Sequence, residues 1–192
     1  MSKVGLIGAG LMGHGIGKNI VTKGYALTVM AHRNRAPVDD LISLGAAEAA
    51  TPAEVAARSD LVILCVTGTP QIEAIVYGGH GLAFSERPGL VIADCSTAEP
   101  DSTIRIAADL AKHGVTFLDT PMTRTPKEAE EGRLGLMVGG EARVIADIRP
   151  VLECFADTII HSGPVGSAHQ LKLINNFLSI GHAAIAAEAI TA

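Results

Sequence analysis

Short apolar runs alternate with helically spaced apolar residues over the first 160 or so positions of the chain. Val4–Ile7 is continuous and ends at Gly8, which predicts a first strand. Leu11–Thr22 follows with helical spacing and stops at Lys23-Gly24. Leu27–Ala31 predicts a second strand and Ala46–Ala49 a short third. The next helix is capped at Thr51, with Pro52 at its first position and Glu54 three residues after the cap. Leu61–Val66 is uninterrupted, as expected of a strand buried on both faces, and Leu90–Ala93 is another. Between Asp101 and Lys112, Ile104, Ala107, Ala108 and Ala111 fall on one helical stripe that ends at Gly114. Thr116–Leu118 gives a sixth strand, Leu134–Val138 a further one, Glu141–Leu152 a helix and Thr158–Ile160 a last short strand. Strands that alternate with helices pair in parallel through right-handed crossovers. The expected fold is therefore α/β, a doubly wound, mostly parallel sheet of the Rossmann type.

The pattern changes at Gly163-Pro164-Val165-Gly166. From Ser167 to Ala192 the only breaker is Gly181, and a helix of about 26 residues would be ~39 Å long. Leu171, Ile174, Phe177, Leu178, Ile180, Ile185 and Ile190 occupy most of its circumference, so it calls for cover on nearly every side. The chain thus divides into residues 1–162, a sheet domain, and residues 163–192, a turn and a long helix that would lead into a second domain. The expected partner is a second copy or another chain that covers the 167–192 helix. Lys172, Asn175, Asn176 and His182 interrupt this stretch, so no segment of membrane-spanning character is expected.

Hydrophobic residues make up 48% of the 192 and charged residues 18%, enough for a large core and against disorder. The net charge of −5 and the lack of any Lys/Arg run argue against nucleic acid or anionic membrane as a partner. Met1-Ser2-Lys3 leads straight into a strand, leaving no room for a signal peptide. Cys65, Cys95 and Cys154 are odd in number and set in apolar runs, so they read as buried thiols of a cytoplasmic protein. The seven histidines show no ligand spacing, and no metal site is expected.

The chemistry begins at Gly8-Ala9-Gly10-Leu11-Met12-Gly13. A G-x-G-x-x-G run between a strand and a helix start binds dinucleotides for a mechanical reason. Gly8 permits the tight turn, Gly10 lets a pyrophosphate approach the backbone, and Gly13 lets helix and strand pack closely. The free N–H groups of the helix then face the phosphates.

Four further segments follow in order: Asp94-Cys95-Ser96-Thr97, Asp119-Thr120-Pro121-Met122, the Gly163–Gly166 turn, and Lys172-Leu173-Ile174-Asn175-Asn176. With the glycine loop, this ordered set resembles the β-hydroxyacid dehydrogenase family, which includes 3-hydroxyisobutyrate dehydrogenases, tartronate semialdehyde reductases and sulfolactaldehyde reductases. The resemblance runs from residue 3 to the last residue and covers the N-terminal two-thirds of such proteins, whose remaining part is all-helical. It implies hydride transfer between a nicotinamide and a small β-hydroxyacid or its semialdehyde. It places the general acid/base at Lys172, with Asn176 on the same helix face to hold lysine and substrate. Asn175, about 100° away, would anchor backbone. A lysine near its free pKa is a poor match to neutral pH, and partial burial would lower it. The other reading of Lys172 is a lysine snorkelling from a helix.

The resemblance also assigns Ser96 to the substrate and Thr97 to the nicotinamide side, although the turn could simply cap the next helix. Cofactor contacts fall to Leu11, Met12, His32, Asn34, Val66 and Thr67. Where the family carries Ser-Gly-Gly, this chain has Thr123-Arg124-Thr125, the second departure being Ala168 in place of a glycine. Arg124 presents a fork suited to a carboxylate or sulfonate, so these three residues are expected to take an anionic substrate group. After the second strand the chain reads Ala31-His32-Arg33-Asn34-Arg35, with no acid before Asp39. An acid there would bind ribose hydroxyls and repel a 2′-phosphate, whereas Arg33 pairs with one; the expected cofactor is NADP(H) over NAD(H). The alternative is a stand-alone dinucleotide-binding module without catalysis.

Overall fold

A computed structural model describes residues 3–191. Its first half is built from β1 (Lys3–Ile7), α1 (Gly13–Thr22), β2 (Ala26–Met30), α2 (Ala36–Ser43), β3 (Ala47–Ala49), α3 (Pro52–Ala57), β4 (Leu61–Leu64) and α4 (Thr69–Tyr77). Then come β5 (Val91–Asp94), α5 (Pro100–Ala111), β6 (Thr116–Asp119), β7 (Met122–Thr123) and α6 (Pro126–Glu130). The last part holds β8 (Leu134–Gly139), α7 (Ala142–Leu152), β9 (Ala156–Gly163) and α8 (Ser167–Thr191).

The first six strands lie side by side in the order β3-β2-β1-β4-β5-β6, all parallel. This is the doubly wound order, and its direction reverses between β1 and β4, where open sheets bind ligands beyond the strands' C-terminal ends. β6 and β7 then run in one antiparallel register along β8, from Asp119 opposite Gly139 to Thr123 opposite Gly135. β9 closes the sheet, parallel to β8.

Both faces of the sheet are covered, and central β4 is apolar at every position. In β4, Leu61 and Ile63 face a core that includes Ile16 and Ile20 of α1 and Leu41 of α2. Val62 and Leu64 face a second core with Val55 of α3, Ile72 of α4 and Ile106 and Leu110 of α5. Each such side chain contributes roughly 1.5–3 kcal/mol by leaving water. The Thr51 cap is present: its hydroxyl accepts from the Glu54 N–H at 3.2 Å.

Several expectations need correction. α2, α4 and α6 were not legible as helices: each begins with a proline in its first turn and is short, so too few turns exist to show a period. On α5 the buried stripe is Ser102, Thr103, Ile106 and Leu110, not Ile104 and its alanine partners. Ile104 is 49% exposed. Two hydroxyl residues take inward positions because each finds a partner there: Ser102 donates to Glu73 Oε1 at 2.8 Å, and the Thr103 hydroxyl lies 2.7 Å from His169 Nδ1. Finally, α8 is long and apolar enough, by length and composition alone, to cross a membrane. The four polar residues that were read as interruptions are too few in 25 to change that. Only its first turns are buried, at Ala168 and His169.

Candidate active site

A cleft of about 1140 Å³ opens at the C-terminal ends of β1 and β4. Its floor is the glycine loop. Gly8 sits at φ +104°, and a Cβ there would collide with the carbonyl of Cys65. A Cβ at Gly13 would collide with the Gly8 carbonyl, so the start of α1 lies directly on the loop. At Gly10 no atom lies within 4 Å of where a Cβ would stand, which leaves the loop open on the side facing the cleft. The α1 N-terminus has no side-chain cap. Backbone N–H groups, a positive helix end and open space are what a pyrophosphate needs.

Gly8, Gly10, Leu11, His32, Arg33, Asn34, Val66 and Thr67 all line this cleft; Met12, Gly13 and Thr97 do not. The two arginines after β2 differ in their commitments. Arg35 makes a two-armed contact with Glu48 at 2.8 and 2.7 Å and a third with Asp39 at 3.0 Å. Among the described residues Arg33 has no such partner and stays exposed on the cleft wall. The Asn34 side chain accepts the Ala36 N–H at 3.2 Å and so turns the chain into α2. Cys65 also lines the cleft, but burial pushes its thiol up to about 12, so it stays protonated.

The expected substrate residues lie outside the cleft lining. Ser96 is buried, and its hydroxyl accepts the Val66 N–H at 3.0 Å, tying the ends of β4 and β5 together. Thr97 beside it is half-buried. Thr123 donates to the Gly135 carbonyl at 3.3 Å. Thr125 and Glu128 form a capping box that starts α6, with the Thr125 N–H on Glu128 Oε2 at 3.0 Å. Arg124, at φ +78°, turns its guanidinium to Asp157 at 2.7 Å, Thr158 at 3.3 Å and the Arg133 carbonyl. Hydrogen bonding to Arg124 holds the Asp157 carboxyl below its usual range. The Arg124 fork is thus filled by protein rather than left open for a ligand.

On α8 the expected pair stands out. From 171 to 180 every residue is exposed except Lys172 and Asn176, one turn apart and half-buried on the side that faces the sheet domain. Burial alone lowers the Lys172 ammonium from its ordinary value. Asn175 is exposed, and it is its carbonyl, not its side chain, that is bonded, accepting the Ser179 hydroxyl at 2.7 Å. The expectation that its side chain anchors backbone is therefore corrected.

Two residues hold this helix in roles the sequence did not reveal, Asp119 and His169. Asp119, fully buried, accepts the N–H groups of Gly166 at 2.8 Å and His169 at 2.9 Å, and so holds the start of α8. His169, also fully buried, places its Nε2 3.2 Å from the Ser96 carbonyl, which only accepts, so that nitrogen carries a proton. Its Nδ1 is 2.7 Å from the Thr103 hydroxyl. Asp94 lies beside Asp119 in register, and burial raises its carboxyl. Two aspartates at the ends of adjacent apolar strands were a signal in the sequence; a histidine on a helix was not.

Residues 3–163 match the family described as the NAD binding domain of 6-phosphogluconate dehydrogenase. The chain belongs to that family. It is 32% identical over 191 residues to a 2-(hydroxymethyl)glutarate dehydrogenase of Eubacterium barkeri, covering 98% of this chain and 62% of that protein. To a 3-sulfolactaldehyde reductase of Escherichia coli it is 31% identical over 189 residues, with 98% and 63% covered. A solved structure of Psf3 in complex with NADP+ and 2-OPP superposes with a TM-score of 0.90 at 28% identity, covering 98% of this chain and 66% of that one. The resemblance to β-hydroxyacid dehydrogenases therefore holds, and the chain spans a little under two thirds of the length of these relatives.

Proposed function

We propose that this chain is the cofactor-binding part of an NADP(H)-dependent oxidoreductase that acts on a small, anionic β-hydroxyacid or its semialdehyde. The observation that carries the reading is the Lys172–Asn176 pair, the two half-buried residues in an otherwise exposed stretch from 171 to 180, at the motif's acid/base position. The nicotinamide would supply or accept the hydride. The glycine loop and the α1 N-terminus take the pyrophosphate, and Arg33 takes the 2′-phosphate. Lys172 moves the proton to or from the substrate oxygen, its lowered pKa bringing it closer to neutrality. Asn176, one turn on, fixes the ammonium and the substrate oxygen.

Arg124 would meet an anionic substrate only by exchanging Asp157 for it, so a substrate carboxylate or sulfonate competes with a carboxylate already in place. The test is NADPH oxidation with sulfolactaldehyde, tartronate semialdehyde and an uncharged aldehyde of similar size. Turnover of the anionic pair above the uncharged compound supports the reading, and equal turnover of all three refutes the anion preference. A second reading, a cofactor-binding module that does no chemistry alone, is favoured by the exposed apolar side chains of α8. Tight NADPH binding with no turnover of any of the three would support it.

A further inference from the structure

His14 is the second residue of α1 and lines the dinucleotide cleft. Its Nδ1 lies 2.6 Å from Glu130 Oε1 on α6, and its Nε2 lies 2.8 Å from Asp40 Oδ2 on α2. Carboxylates only accept, and a neutral imidazole has one N–H to give. Both contacts are satisfied together only by the imidazolium. Asp40 and Glu130 also line the cleft, so two carboxylates stand where a pyrophosphate must enter. Lys18, one turn on along α1, reaches Glu130 Oε2 at 3.1 Å. With His14 protonated the four groups sum to zero charge; with His14 neutral they carry a net negative charge and one carboxylate loses its donor. His32 and Arg33 face the cleft from the loop after β2, and Lys127 sits on α6 three residues before Glu130.

We propose that His14, held between Asp40 and Glu130, is the cation that makes this cleft accept a dinucleotide's pyrophosphate, so that cofactor affinity falls as pH rises through the titration of His14. The inference rests on the reading of the cleft as a dinucleotide site and adds a residue to it. Burial opposes the charge on the ring, but the hydrogen bonds it donates to the Glu130 and Asp40 carboxylates outweigh this and hold the imidazole above its ordinary range. The sign follows: the charged form, and with it tight binding, is present below that raised value and is lost above it. The same three groups tie α2, which follows the Arg33 loop, to α6, which follows the Thr123–Thr125 loop.

The test is isothermal titration of the 192-residue protein with NAD+, which has no 2′-phosphate to titrate, from about pH 6 to about pH 9, across the range in which histidines change charge. The wild-type affinity should fall by about 3–10-fold across the raised titration, the size expected of one unit charge near a phosphate group in a partly hydrated cleft. His14→Gln should bind at the weak, high-pH level throughout, and His14→Lys at the tight level throughout. Buffers of differing ionisation enthalpy should report proton uptake on binding in the wild type and none in either variant. A flat wild-type profile, or a wild-type slope retained in His14→Gln, overturns the inference while leaving the cleft a dinucleotide site. Failure to bind NAD+ or NADP+ at any pH overturns both.

Discussion

Arg33→Ala tests the proposed basis of cofactor choice, because the two arginines of the loop after β2 differ in their partners. Arg35 is spent on Glu48 and Asp39. Arg33 has no partner to release among the described residues, so nothing in the protein is left unpaired when it is removed. The loss should therefore equal the contact with the 2′-phosphate itself. A charge-assisted hydrogen-bonded pair of this kind contributes roughly 1.5–3 kcal/mol, which is about a 10- to 150-fold loss of affinity. Fluorescence titration of NADPH and NADH against wild type and variant measures it. NADPH should weaken by that factor and NADH by less than about twofold, since NADH carries no 2′-phosphate. Arg35→Ala should instead loosen the α2–β3 corner and leave the ratio of the two affinities unchanged. Equal weakening of both cofactors in Arg33→Ala, or a larger change in the ratio from Arg35→Ala, refutes the assignment.

If Lys172 is the acid/base proposed above, kcat for aldehyde reduction should fall as pH rises through its lowered pKa, and kcat for alcohol oxidation should rise. Lys172→Ala should lose about 10²–10⁴ of turnover in steady-state assays while cofactor titrations are unchanged. Asp119→Ala leaves the buried N–H groups of Gly166 and His169 without an acceptor and should cost about 2–4 kcal/mol in urea denaturation; a loss below about 1 kcal/mol would show that water replaces the carboxylate. Phe177 and Ile180 are 79% and 67% exposed on α8, and burying one such side chain contributes roughly 1.5–3 kcal/mol. Sedimentation should show the wild type associating at tens of micromolar and Phe177→Glu/Ile180→Glu less so; a wild-type monomer under those conditions would refute the association.

The parallel sheet was legible because a strand buried on both faces has no choice but to be apolar at every position, as Leu61–Leu64 is. The long helices α1, α5 and α7 were legible because several turns repeat a period, and α8 because 25 residues run with Gly181 as their only breaker. α2, α4 and α6 were not, since five to nine residues with a proline in the first turn show composition but no period. The same division runs through the site. The glycine loop reads directly from sequence, because steric demands at Gly8 and Gly13 admit one residue type. Lys172 and Asn176 were singled out by the family resemblance, and their spacing of one helical turn added only that they share a face. Arg124 read as a free anion receptor, since a sequence shows the guanidinium but not the Asp157 that occupies it across the sheet edge.

His14 shows the opposite error. In the sequence it is one polar residue in a glycine-rich helix start, with Asp40 lying 26 positions away and Glu130 lying 116 away. Nothing local marks the three as a group. They meet because α2 and α6 both pack against α1, α6 so closely that Gly15 could not carry a side chain without striking Ala129 and Glu130. The small residues of α1 thus do two things at once. They let the helix lie on the glycine loop, and they bring two carboxylates within reach of the one titratable side chain in its first turn. A larger residue at position 15 would push α6 outward and separate Glu130 from His14. It would thereby change the charge of the cofactor cleft without touching any residue that lines the pyrophosphate loop.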